Sequence, residues 1–180
     1  MSGWQTHATR TAYENAWIRV REDEVTRPDG STGVYGVTEV RHPAVFIVPV
    51  TEEGEVLLIR LFRYPIGRDS LEVPAGGSDG QEPLVAARRE LREETGRTAA
   101  TWTHLGRVFS LNGVADARAE VFLAQGLADE GGGSQAEEGI SEVLTVPWDD
   151  VLGMVRTGAI HDSETVSCLM LAGLALGRIG

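Results

Sequence analysis

The sequence predicts a mixed α/β protein, and three features carry that expectation. Residues 17–37 and 45–60 run as alternating or continuously apolar segments broken by turn signals, the pattern of strands. Residues 71–97, LEVPAGGSDGQEPLVAARRELREETGR, pass from a β-like run through a glycine-rich loop into a helix. The last third of the chain carries two stretches with helix start signals, one entered at Pro147 and one at Asp162 or Ser163.

With 180 residues, 42% hydrophobic and 24% charged, the chain is long enough for one substantial core. The formal net charge of -11 disfavours non-specific binding to nucleic acid or an anionic membrane, so neither is expected as a partner. A polyanionic substrate then needs a local metal or arginines. All sixteen basic residues are Arg, which excludes lysine-dependent chemistry. The single cysteine, Cys168, cannot form an internal disulfide and sits in an apolar run that suits a buried helix position. No stretch near Met1 reads as a secretory leader, and the apolar run Leu169–Leu176 is too short and glycine-broken to span a bilayer. A cytoplasmic location is the expectation.

In chain order, Trp17–Arg21 and Glu24-Val25 lead to the turn Arg27-Pro28-Asp29-Gly30, after which Val34–Val37 resumes as the return of a hairpin or meander. Glu22, Asp23 and Glu24 read as a solvated strand face. Val45–Val50 suits a buried strand, and Glu52-Glu53-Gly54 turns it into Val56–Arg60. In Arg60-Leu61-Phe62-Arg63-Tyr64-Pro65, Arg63 can hold a phosphate through its planar fork and Tyr64 can offer a stacking face; an edge strand with solvated arginines fits the same residues.

The central helix begins at Pro83, which suits a first turn, and stops at Gly96. At about 100° per residue, Glu90, Glu93 and Glu94 fall in one wedge while Leu84, Ala87 and Leu91 face another way. Carboxylates crowded at such spacings repel, and a hard divalent cation removes the repulsion, although a solvated acidic face has the same spacing. Beyond the helix, Leu105–Phe109 and Ala119–Leu123 read as strands around the loop Ser110–Asp116. Residues 128–139 are polar and glycine-rich and read as a mobile loop, Val143–Val146 as a strand, and Pro147 as the first residue of a helix through Val155. The final helix is apolar enough for burial on most sides. His7, His42, His104 and His161 show no metal-ligand spacing.

Arg89-Glu90-Leu91-Arg92-Glu93-Glu94-Thr95-Gly96 resembles, without a gap, the second half of the Nudix box, and Pro74-Ala75-Gly76 resembles its usual entry. The first half departs. Gly76 and Glu82 keep the five-residue gap of the pattern, but six residues, one fewer than usual, then separate Glu82 from Arg89. Aligned from the helix, Gln81 takes the place of the first glutamate. Arg97 stands where a hydrophobic residue is usual. Arg60–Pro65 and Gly158–Thr165 resemble the ADP-ribose pyrophosphatase-like branch, with Leu61 for the usual Gln and Leu111 where that branch has Pro.

The resemblance implies a Nudix-type α/β/α sandwich with a mixed central sheet. Residues 1–42 are then an N-terminal antiparallel strand extension that helps build a homodimer, and 43–180 the hydrolase domain. It implies Mg²⁺ or Mn²⁺ held by Glu90, Glu93, Glu94 and the backbone carbonyl of Ala75, with Glu93 and Glu94 in the catalytic set. A loop glutamate acts as or orients the general base, with Glu137 and Glu138 as candidates and Glu142 behind them. Arg60, Arg63 and Tyr64 are implied to bind substrate, and Arg89 to hold a carboxylate in position. Gln81 brings a dipole and no charge to a metal, and Glu82 compensates if the loop shifts; both stay open. The implied activity is hydrolysis of a nucleoside diphosphate linked to another group, with ADP-ribose or another nucleotide sugar leading. Dinucleotides, nucleoside triphosphates, or a binding module that does not cut are the alternatives.

Overall fold

The computed structural model describes residues 3–179. The strands are β1 (Gln5–Glu14), β2 (Ile18–Thr26), β3 (Thr32–Val40), β4 (Ala44–Val50), β5 (Glu55–Arg63), β6 (Arg68–Glu72) and β7 (Ala75–Gly77). Helix α1 (Pro83–Thr95) follows, then β8 (Arg97–Phe109), β9 (Ala115–Asp116), β10 (Arg118–Asp129), β11 (Ile140–Pro147), α2 (Trp148–Thr157) and α3 (Ser163–Ala175). Two compact units form. One takes in the chain up to Pro43 together with Phe109–Arg118, the other Ala44–Val108 and the chain from Ala119 onward.

The first unit is a four-stranded sheet in the order β1-β2-β3-β9. The β2–β3 hairpin is continuous from Ile18↔Val40 to Thr26↔Thr32, closed by Gly30 at φ 85. All ten residues of β1 are exposed, so no alternation marks it as a strand in the sequence. The acidic run on β2 corrects an expectation. Asp23 is only 5% exposed, accepts a hydrogen bond from Thr9 Oγ1 and pairs with Arg21, while Glu22 pairs with Arg10. Partners supplied by β1 and β2 turn what reads as a solvated face into a paired, partly buried one.

The second unit holds a mixed sheet in the order β11-β5-β4-β10-β8, with β6 on β5 and β7 on β4. β4 and β10 run parallel from Ala44↔Ala119 to Val50↔Gln125, and the other pairings shown for β4 and β5 are antiparallel. Alternation on these central strands builds two cores. Val45, Ile47, Phe122 and Ala124 pack with Ala86, Ala87 and Leu91 of α1. Val48, Val50, Val121 and Leu123 pack with Trp148 and Val151 of α2 and Cys168, Leu169 and Ala172 of α3. The sheet is covered by α1 on one face and by α2 and α3 on the other, an α/β/α sandwich.

Two smaller expectations change. Pro147 closes β11 and caps α2, whose first helical residue is Trp148, a shift of one residue at a helix end. The last helix buries a single face, Thr165, Cys168, Leu169, Ala172 and Gly173 at helical spacing, against the sheet and α2, and leaves Met170 and Leu174 exposed. Its N-cap is Asp162, whose Oδ2 accepts from the Thr165 amide at 2.7 Å. Burial pushes the Cys168 thiol up, which suits an inert packed side chain. Among the described residues no helix is long and apolar enough to cross a membrane.

Candidate active site

The site is built where β6, β7 and α1 meet. β7 pairs with β4 through Ala75↔Phe46 and Gly76↔Val45, which fixes the start of the glycine loop to the central sheet. α1 starts at Pro83 after the N-cap Glu82 and ends at Gly96, whose φ of 69 gives the left-handed stop that glycine adopts without strain. The apolar side of α1 docks on the sheet, and that docking carries Glu90 and Glu94 under β7.

Both carboxylates are buried, Glu90 to 6% exposure and Glu94 to 4%. The Ala75 amide donates to Glu94 Oε2 at 2.8 Å. Gly76 lies so close to Glu90 that a Cβ there would stand 2.2 Å from its carboxyl carbon. Arg89 gathers the rest: it pairs with Glu90 Oε1 at 2.8 Å and Glu93 Oε2 at 2.9 Å, and donates to the Gly77 carbonyl at 2.8 Å and to Gln81 Oε1 at 3.3 Å.

Burial, opposed in part by Arg89 and reinforced by Glu93 and Glu138, pushes the Glu90 carboxyl up to about 7. Burial also raises Glu94, to about 8; the Ala75 amide and Arg63 work against that shift, while Glu90 and Glu138 add to it. These two carboxylates are therefore short of positive charge. Among the described residues no three His, Cys, Asp or Glu side chains are grouped as a ready-made metal cage. A pair of buried, under-compensated carboxylates beside backbone oxygens nevertheless fits a hard divalent cation of the kind that completes its shell with water and substrate phosphate.

The other sequence-predicted residues divide. Glu138 lies close enough for its charge to act on both Glu90 and Glu94, and Glu137 stands beside it on the turn where both amides donate to the Ser134 carbonyl. The loop carrying them is tied to α1 by the Ser134 amide, which donates to the Glu93 carbonyl at 2.8 Å. Arg60 and Arg63 lie an odd number of residues apart on β5 and project from opposite faces. Arg60 pairs with Glu142 across β11 at 3.0 Å. Arg63 forks onto Glu72 through Nε at 2.9 Å and Nη2 at 2.6 Å, and its charge reaches Asp162 and Glu94. Tyr64, on the 3-10 turn Tyr64–Ile66 that follows β5, is 89% exposed and not gathered with the carboxylates. Gln81 sits against Arg89, while Glu82 is exposed at the helix N-cap and makes no side-chain capping bond. Glu72 is the residue that sequence reasoning passed over. Its signal was local: Glu72 ends β6 between the buried apolar residues Leu71 and Val73.

A NUDIX domain description matches residues 40–167, more than half of the chain. The chain belongs to the Nudix family. A second description, the nucleoside diphosphate sugar hydrolase N-terminal domain, matches residues 4–38. Among relatives of this Nudix chain, the ADP-ribose pyrophosphatase of Bacillus subtilis (strain 168) is 34% identical over 164 residues, covering 89% of this chain and 88% of its own. The GDP-mannose pyrophosphatase of Cronobacter sakazakii (strain ATCC BAA-894) is 32% identical over 168 residues, covering 87% and 86%. A crystal structure of an ADP compounds hydrolase superposes with a TM-score of 0.85 at 22% identity, over 98% of this chain and 97% of that one, and establishes the shared fold. The protein is a Nudix pyrophosphohydrolase, and members of this family generally act with divalent metal.

Proposed function

We propose that the protein hydrolyses the diphosphate of a nucleoside diphosphate sugar, with ADP-ribose first among substrates and GDP-linked sugars next. The observation that carries this reading is the buried pair Glu90 and Glu94, one helical turn apart and short of positive charge. The names of the relatives supply the substrate class.

In this reading Glu90 and Glu94, with Glu93 and the Ala75 carbonyl, would hold Mg²⁺, or Mn²⁺ in its place. Bound there, the cation would offset the charge on the diphosphate oxygens that otherwise repel an incoming nucleophile. Arg89 holds Glu90 and Glu93 in place from one side, and the Ala75 amide holds Glu94 from the other. Glu138 accepts the proton of the attacking water on its carboxylate. The water oxygen bonds to phosphorus, the bridging P–O bond breaks, and a nucleoside monophosphate and a sugar phosphate leave. Arg63, held beside Glu94 by its fork onto Glu72, binds a phosphate oxygen. Arg60 and Tyr64 serve substrate only if the nucleotide extends to the outer side of β5.

The N-terminal strands up to residue 42 are proposed to build a homodimer. The all-exposed β1 and the exposed Trp4, Tyr13 and Trp17 support that, and light scattering at the mass of two chains tests it. A cytoplasmic location is also proposed. Product release from ADP-ribose, GDP-mannose, a dinucleoside polyphosphate and ATP, with Mg²⁺ and with chelator, tests the activity: metal-dependent cleavage of the sugar compounds is expected, and preference for ATP or the dinucleotide would overturn the substrate assignment.

A further inference from the structure

We propose that the cleft between α1 and the loop 130–134 binds a phosphate group, and that the bound anion holds this loop against the helix. The cleft measures about 500 Å³. Arg88, Arg89 and Arg92 line it from the helix, and Glu130 and Ser134 from the loop. Among the described residues, only Arg89 and Glu93 belong both to its walls and to the site built around Glu90 and Glu94.

Two guanidinium groups here are uncommitted. Arg89 is spent on Glu90, Glu93 and the Gly77 carbonyl. Arg88 and Arg92 are exposed and stand one turn apart, a spacing at which like charges repel. Among the described residues neither side chain makes an ion pair or a hydrogen bond, in a chain with 27 acidic residues against 16 basic ones. The helix dipole favours Arg92, which sits in the last turn, but fades before Arg88. Arg88 lies over the Trp102 ring at 5.9 Å, a contact that uses the flat face of the guanidinium and leaves its N–H edge to an acceptor. The hydroxyl of Thr98, also in the wall, and that of Ser134 have no partner among the described residues either, and neither is closed to solvent, so both can meet a ligand.

The lining narrows the chemistry. Three arginines meet two glutamates, and Glu93 is already paired with Arg89, so the walls are net positive although the chain carries -11. That disfavours a cation, and a neutral ligand leaves two guanidinium groups unmatched. A tetrahedral phosphate accepts hydrogen bonds from several directions at once, which suits donors on both sides of a cleft better than a planar carboxylate does. Inorganic phosphate and the terminal group of a phosphate ester share this chemistry, and the cleft has room for either. The loop meets the end of α1 through main-chain bonds, from the Glu130 amide to the Gly96 carbonyl at 3.1 Å and from the Ser134 amide to the Glu93 carbonyl at 2.8 Å. An anion held by Arg88 and Arg92 on the helix and by Ser134 on the loop adds a further link, close in sequence to Glu138.

The test is calorimetric titration of the protein in chelator with inorganic phosphate, ribose 5-phosphate and acetate, beside hydrogen exchange of residues 130–139 with and without phosphate. Arg88→Ala and Arg92→Ala remove exposed groups and leave the fold intact, and Glu130→Gln removes the unpaired acid of the wall. Arg156→Ala, at an exposed position of α2 on the opposite face of the sheet, controls for net charge. Phosphate is expected to bind the wild type, about tenfold more weakly to each of Arg88→Ala and Arg92→Ala, severalfold more tightly to Glu130→Gln, and within twofold of wild type to Arg156→Ala. It should slow exchange across the loop in the wild type and not in the two α1 variants. Ribose 5-phosphate binding more tightly than inorganic phosphate, with the same dependence on Arg88 and Arg92, assigns the site to a phosphate ester; equal or weaker binding assigns it to free phosphate. No binding of either, acetate binding as well as phosphate, both α1 variants within twofold of wild type, or unchanged exchange across the loop overturns the proposal.

Discussion

Gly76→Ala isolates the geometry on which the proposed mechanism depends. The added Cβ would lie 2.2 Å from both the carboxyl carbon and Oε1 of Glu90 and 2.5 Å from Oε2. Ordinary contact begins near 3.4 Å, so the carboxylate must retreat by roughly 1 Å. Gly76 is not among the positive-φ residues, so alanine introduces no backbone strain and the effect is confined to that displacement. Glu90 cannot swing freely, because it is buried and held by Arg89 at 2.8 Å. A misplacement of about 1 Å in a catalytic group costs on the order of a hundredfold in rate. Overpacking of this kind costs about 1–3 kcal/mol in stability, a fall of several degrees in Tm for a chain of this size.

The assay is steady-state cleavage of ADP-ribose over a Mg²⁺ titration, with melting curves beside it. Gly76→Ala is expected to lower kcat about a hundredfold, raise the half-saturating Mg²⁺ concentration and leave a folded protein. Adding Glu90→Asp to it shortens the acid by one methylene and should recover part of the loss, so that the double variant exceeds the product of the two single effects. A Gly76→Ala enzyme within twofold of wild type at an unchanged metal midpoint would refute the placement of Glu90 at the reacting centre.

Other outcomes follow from the same contacts. Glu90 and Glu94 titrate in the folded protein at about 7 and about 8, above their ordinary 4.5, so their contribution to stability is complete below about pH 4.5 and is lost as pH rises through 7 and 8. Metal-free Tm should fall between pH 5 and 8.5, and Mg²⁺ should raise Tm more at pH 8.5 than at pH 6; a flat metal-free profile contradicts the burial argument. Arg63→Ala leaves Glu72 buried and unpaired and should cost more stability in urea melts than Arg60→Ala, whose exposed pair with Glu142 contributes about 0–1 kcal/mol. Equal losses would count against the fork. Glu138→Gln should cut kcat at least tenfold while Glu137→Gln leaves it near wild type, and the reverse order would exchange the two residues in the proposed mechanism.

The parts of this arrangement that were legible in the sequence are the ones held by local rules. Pro83 and Gly96 mark both ends of α1, and the helical period alone puts Glu90 and Glu94 on one side of it. The continuous apolar run Val45–Val50 likewise foretells a strand buried on both faces. What escaped depends on partners distant in sequence. Glu72 meets Arg63 through the β5–β6 register, and Asp23 is buried against Thr9 of β1, a strand whose uniformly exposed residues leave no periodic trace. The choice between Gln81 and Glu82 was also unreadable from spacing, because the shortened loop admits two alignments. In the folded chain Gln81 faces Arg89 and Glu82 faces solvent at the helix start. Arg60 and Arg63 looked equivalent as a motif, yet strand alternation sends them to opposite faces.

The central claim is that Glu94, on the same helix as Glu90, belongs to a metal-dependent centre that cuts the diphosphate of a nucleotide sugar. Phosphorus NMR of ADP-ribose incubated with the wild type and with Glu94→Gln, each with Mg²⁺ and with chelator, tests it most directly. The account predicts conversion to AMP and ribose 5-phosphate by the wild type with Mg²⁺ alone, and a rate at least about a hundredfold lower in a folded Glu94→Gln protein. An intact ADP-ribose signal under every metal condition, with the nucleotide still raising the melting temperature, would contradict it and leave a protein that binds the nucleotide without cutting it.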